Sequence, residues 1–290
     1  MSSRAKGVLY MLLSACSFTV MNIFIRLSGD IPSPQKSFFR NLISLSLALV
    51  FLAKDKSTFQ VPRKDWKHLI LRSLLGTIGV ICNFYAVDHM VLSDATMLNE
   101  LSPFFTIIFA YLLLRESITL PQLLLFLSAI AGSLLILKPS FSGFASPAAL
   151  VALLGGICSG WAYAEVRLLG MHKVHKSVII LVFSLFSCIT TLPVLIFDYC
   201  PMSPHQLVLL LCAGLAATCG QFGITTAYSY ASASEISVYD YSQVVFSAAA
   251  GYYIFGQLAD RLSFLGYMII CTSAVAMAIY NRSRGSTVKL

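Results

Sequence analysis

Residues 93–116 read SDATMLNELSPFFTIIFAYLLLRE, and 141 positions later residues 234–257 read SEISVYDYSQVVFSAAAGYYIFGQ. The two lie over one another without a gap: Ser93 on Ser234, Asp94 on Glu235, Asn99 on Asp240, Phe105 on Phe246, Tyr111 on Tyr252 and Glu116 on Gln257. The same shift pairs Thr77 with Thr218, Gly79 with Gly220, Ala86 with Ala227 and Arg26 with Arg167. A period this long predicts a duplicated architecture, with residues 1–140 as one unit and 141–290 as its copy.

The rest of the chain is as apolar as this stretch. Of its 290 residues 58% are hydrophobic and only 11% charged, and the mean hydropathy is +0.81, which excludes a water-soluble domain. A bilayer forces each backbone amide to pair within its own segment, so helices of about 20 residues are expected. Breakers divide the chain into ten such runs: 7–28, 35–53, 67–89, 91–114, 120–137, 147–169, 177–197, 206–229, 232–255 and 262–280. Most prolines fall between runs, and only Pro103 and Pro193 interrupt one. The run from Gly7 is long enough to span and no small-residue cleavage site follows it, so no cleavable signal peptide is expected. The eight cysteines form no CxxC pair and read as small packing residues, neither disulfides nor metal ligands.

Basic residues orient the chain. With the N-terminus inside, fifteen Lys and Arg fall in inner segments and five (Arg26, Lys36, Arg40, Lys138, Arg261) on the outer side. Lys and Arg favour the cytoplasmic side, so both termini are expected there, in a plasma (bacterial inner) membrane. The net charge of +8 is then a topology signal, and nucleic acid is not an expected partner. Five crossings per repeat is an odd number, so the second copy enters the membrane upside down. The expected fold is an all-α polytopic membrane protein, ten transmembrane helices as two inverted five-helix repeats, the plan of secondary transporters.

The fourth run, ATMLNELSPFFTIIFAYLLLRES, places a Pro thirteen residues before a Glu, and a run rich in Leu, Ala and Gly follows. With its counterpart ASASEISVYDYSQVVFSAAAGYYIFGQLAD, it resembles the drug/metabolite transporter superfamily in its ten-helix EamA-type branch, over nearly the whole chain. The second copy departs from the pattern with Val244 in place of the Pro and Gln257 in place of the Glu. The resemblance implies transport of a small metabolite; members of the branch are associated with amino acids, S-adenosylmethionine and riboflavin. Export is implied only by that likeness.

A charge at the centre of a membrane helix costs about 2.5–3.5 kcal/mol on insertion scales, so it marks a cavity or a partner. Glu100 lies nine residues into its run, roughly 13 Å at 1.5 Å per residue and near the midplane. Asp240 is about as deep from the opposite face, and Glu165 lies nearer the inner end of its run. Pro103 cannot donate to the Asn99 carbonyl, which leaves a bent helix with free polar groups beside Glu100. Glu100 and Asp240 are the candidates for binding a coupling proton or a substrate cation. Tyr239, Tyr241 and Gln243 supply aromatic faces and an amide around Asp240, with Trp161 and Tyr163 as a further wall. Asn99 is a further polar neighbour, and Asn22, Asn83 and Gln221 are additional polar liners, each with mutual hydrogen bonding as the plainer account. Arg26 and Arg40 read as snorkelling side chains that would receive a carboxylate if turned inward.

Gly156 and Gly160 form a GxxxG, either a contact within the bundle or a homodimer face. No GxxxxGK[ST], HExxH or GxSxG occurs, so neither ATP hydrolysis nor hydrolase chemistry is expected, and no catalytic residue, cofactor or metal. The expectation is a secondary-active transporter, in the exporting sense, of a small polar metabolite such as an amino acid or related amine, working by alternating access with a proton. The alternatives are an importer of a larger metabolite such as S-adenosylmethionine or riboflavin, and a non-transporting membrane interaction protein.

Overall fold

Apolar runs bounded by proline, glycine and charge fold into helices wherever the computed structural model describes the chain, at residues 3–54, 61–114, 119–137, 146–230 and 239–287. The helices are α1 (Ser3–Leu27), α2 (Ser33–Lys54), α3 (Trp66–His89), α4 (Leu92–Asn99), α5 (Ser102–Leu114), α6 (Leu120–Leu137), α7 (Pro147–Met171), α8 (Lys176–Phe197), α9 (Pro204–Tyr230), α10 (Ser242–Phe255) and α11 (Arg261–Thr287). Among the described residues there is no strand. Among them eight stretches, α4 and α5 counting as one, are long and apolar enough to cross a bilayer, and α6 is a shorter apolar helix. With α10 they make the all-α polytopic membrane protein that the hydropathy requires.

Local chemistry sets the helix ends. Ser146 caps α7 by accepting from the Ala149 amide at 3.2 Å, with Pro147 in the first turn, where a missing N–H costs nothing. The α10 helix stops at Gly256, whose φ of 62° suits a residue without a Cβ. There the Gln257 amide donates back to the Gly251 carbonyl at 2.8 Å, and the Gln257 side chain accepts from the Leu92 amide at 3.2 Å, capping α4. Pro193 sits inside α8 without ending it. Pro103 acts differently. The fourth run is two helices, α4 and α5, separated at Glu100 and Leu101.

The most extensive packing pairs α1 with α9, α3 with α7, α2 with α8, α6 with α11, and α5 with α7. Next come α2 with α9, α3 with α8, and α10 with α1 and α4. Numbering the crossings one to ten and replacing each by the one five places away maps this set onto itself. That is the pattern a two-fold relation between halves produces. The GxxxG works within the bundle: a Cβ on Gly156 would stand 2.8 Å from the Leu98 carbonyl oxygen, and one on Gly160 2.7 Å from that of Ser102.

Three residues counted as flanking charges are interior. Lys36, Arg40 and Arg72 are all buried, so none of the three acts as a flanking charge. All eight cysteines are free. Glu116, Ser234 and Glu235 lie outside the described residues.

Candidate functional site

The α4–α5 break puts a carboxylate at the heart of the bundle. Glu100 follows the last residue of α4, its amide bonding the Thr96 carbonyl at 2.9 Å, and the Leu101 amide tightens onto the Leu98 carbonyl at 3.3 Å. The chain resumes at Ser102 with Pro103 in the first turn of α5, where proline needs no donor. A second break faces it. Asp240 and Tyr241 form a turn ahead of α10, with the Gln243 amide on the Asp240 carbonyl at 2.9 Å and the Val244 amide on that of Tyr241 at 3.1 Å. The two broken segments touch: the Thr96 and Ser247 hydroxyls meet at 3.0 Å, and the Phe104 and Tyr241 rings stand edge to face with centroids 6.5 Å apart.

Both acids are enclosed, Glu100 at 4% and Asp240 at 7% exposure, and they lie within electrostatic reach of each other. Glu100 Oε2, Asp240 Oδ1 and Asn99 Oδ1 are buried without a hydrogen-bond partner among the described residues. A carboxylate oxygen in that condition lacks several kcal/mol of solvation unless a proton or a cation arrives. The geometry therefore suits groups that take up and release positive charge.

The other expected liners divide. Tyr163 packs with Tyr239 around Met11 and Ile224, and it lies within electrostatic reach of both acids. Gln243 is buried and Gln221 half-buried; the Thr19 hydroxyl leans on the Gln243 carbonyl at 3.4 Å. Asn22 accepts from the Asn83 amide at 3.1 Å, which is the plainer account of that pair, although Asn22 Nδ2 keeps no partner. Trp161 is engaged elsewhere. Its ring stacks on Phe109 at 4.6 Å, and its Nε1 donates to Glu165 Oε1 at 3.3 Å.

Several charged residues pair across distances in sequence that no local pattern reveals. Glu165 is fully buried, and its Oε2 lies 2.7 Å from His68 Nδ1, a hydrogen-bond partner that Glu100 Oε2 and Asp240 Oδ1 lack among the described residues. Nearby, Asp65 meets His172 Nδ1 at 2.6 Å, and the two bridges clamp the start of α3 to the end of α7. At the other end of the bundle Lys36 Nζ bonds Asp88 Oδ2 at 2.6 Å and the Ile25 carbonyl at 3.1 Å. Arg26 does not snorkel freely. It donates to the carbonyls of Val87 and Met90, at 3.0 and 2.8 Å, and so caps the end of α3. Arg72 is interior as well. Among the described residues no group of three metal-ligating side chains assembles.

A family model described as the EamA-like transporter family matches residues 5–138. The pseudopaline exporter CntI of Pseudomonas aeruginosa is 30% identical over 275 residues, spanning 94% of this chain and 95% of its own. Solute carrier family 35 member G1 of Homo sapiens is 27% identical over 94% of this chain and 79% of its own. The S-adenosylmethionine uptake transporter of Rickettsia prowazekii is 25% identical over 98% and 95%. One crystal structure at 14% identity superposes with a TM-score of 0.68, covering 96% of this chain and 98% of its own, a likeness of fold.

Proposed function

The chain belongs to the EamA-like transporter family, and from that membership we propose a secondary-active carrier that exports a small polar metabolite, such as an amino acid or related amine. Its relatives bear the names of transporters. One observation carries the site: two facing helix breaks each present a buried carboxylate oxygen with no partner, Glu100 Oε2 and Asp240 Oδ1. Such a pair holds its charge comfortably only with a proton or an ammonium group bound, which is the condition for coupling one to the other. Tyr163, Tyr239 and Tyr241 supply the aromatic wall.

Residues 1–140 and 141–290 act as two inverted repeats, a reading supported by the packing pattern that survives exchange of the halves. Rocking one half against the other opens the site to each side in turn. Both termini face the cytoplasm of a plasma membrane, as the basic residues favour. Export follows the CntI relative; uptake of a larger metabolite is the second reading, favoured by the Rickettsia relative.

Flux from proteoliposomes tests the site. Glu100→Gln and Asp240→Asn should each abolish or strongly slow transport while leaving the protein monodisperse, and unchanged flux in both variants removes the proposed roles. Metabolite profiling of cells with and without the gene decides direction. Accumulation inside the null cells means export, and depletion means uptake.

A further inference from the structure

The Phe183 ring of α8 carries a guanidinium from each of two other helices. The Arg72 guanidinium carbon, from α3, lies 3.9 Å from the ring centroid, and that of Arg40, from α2, lies 5.8 Å away. The two cations are therefore no further apart than those distances laid end to end. Arg40 is 1% and Arg72 4% exposed, and among the described residues neither forms an ion pair. Arg40 Nη1 donates to Asn41 Oδ1 at 2.6 Å, but Arg40 Nε and both Nε and Nη1 of Arg72 are buried with no acceptor. The Ser184 hydroxyl, next in the chain to Phe183, is unpartnered too. Gly76 makes room for this arrangement, since a Cβ there would stand 2.7 Å from Arg72 Nη1 and 3.0 Å from the ring.

Ring faces do not balance such a pair. Each cation–π contact contributes less than the burial of a cation costs, and the two cations also repel one another. An oxyanion between them answers both deficits, because a guanidinium fork matches a carboxylate with two parallel N–H···O bonds. Tyr163 lies within electrostatic reach of both arginines and of both acids, which places it between the two groups. A cleft of about 670 Å³ opens at the inner-facing end of α2, α8 and α9, lined by Phe51, Lys173, Lys176 and Phe222. Arg40 and Phe183 lie deeper along two of the same helices.

Resting on the carrier reading above, we propose that Arg40 and Arg72 form the carboxylate-binding half of the substrate site, opposite Glu100 and Asp240, and that the substrate is an amino carboxylate. Proteoliposomes containing the full chain, loaded with the twenty common amino acids and their α-carboxamides and read by mass spectrometry, test it. The wild type should release at least one amino acid about thirtyfold or more faster than its amide, which is the loss expected when one partner of a buried charged contact is removed. In Arg40→Gln and Arg72→Gln that ratio should fall toward one, and Arg72→Lys should hold an intermediate ratio. A side chain that only supported the fold would slow acid and amide alike and leave the ratio where it was. Equal release of acid and amide by the wild type, or a ratio unchanged in both Gln variants, overturns the inference and leaves the carrier intact. Release of neither above empty liposomes removes the amino-acid carrier reading, and this assignment with it.

Discussion

Gly160→Ala is a sharp probe of how the acid-bearing break is held. The new Cβ would lie 2.5 Å from Phe105 Cβ, 2.7 Å from the Ser102 carbonyl oxygen and 3.1 Å from the Thr106 amide, where carbon atoms normally rest about 3.5–4.0 Å apart. All three belong to the α5 backbone or are bonded to it, so no side chain can rotate away. The helices must part by roughly 1 Å, an overpacking cost of about 1–3 kcal/mol. The bond from Thr106 Oγ1 to the Gly160 carbonyl, now 3.0 Å, would stretch and forfeit about 1 kcal/mol more. Gly170 is the matched control on the same helix, because a Cβ there meets nothing within 4 Å. Alanine's helix propensity favours both variants by about 1 kcal/mol, so their difference isolates the clash, at about 2–4 kcal/mol. Thermal unfolding of the detergent-solubilised chain should place Gly160→Ala on the order of 5–10 °C below Gly170→Ala. Transport should fall with it, since Ser102 is two residues beyond Glu100. Equal melting of the two variants would refute the close approach of α5 and α7.

Asp88→Ala should destabilise by about 3–5 kcal/mol, because it leaves Lys36, fully buried, without its ion-pair partner and bonded to the Ile25 carbonyl. Adding Lys36→Met should restore most of the loss, and a double variant as unstable as the single would rule out the ion pair as the cause. Gln257→Ala removes the acceptor on the Leu92 amide and should cost about 0.5–2 kcal/mol; hydrogen exchange at the first turn of α4 should quicken there before it does elsewhere.

Hydropathy alone determined that this chain lives in a bilayer and roughly where it crosses, because lipid leaves the backbone no other solution. The repeat also located the two acids, since a proline or a polar cluster in the middle of an apolar run has few structural uses. The sequence did not reveal how each helix is turned about its own axis. In lipid, the face toward neighbouring helices and the face toward hydrocarbon are equally apolar, so no stripe of hydrophobic residues betrays the inward side. Whether Arg40 snorkels or points inward, whether Glu165 waits for a ligand or already holds His68, and whether Trp161 lines a pocket or stacks on Phe109 all depend on that rotation. Packing decided each of them, through partners 52 to 143 positions away in the chain, and only the tertiary structure brings such partners together.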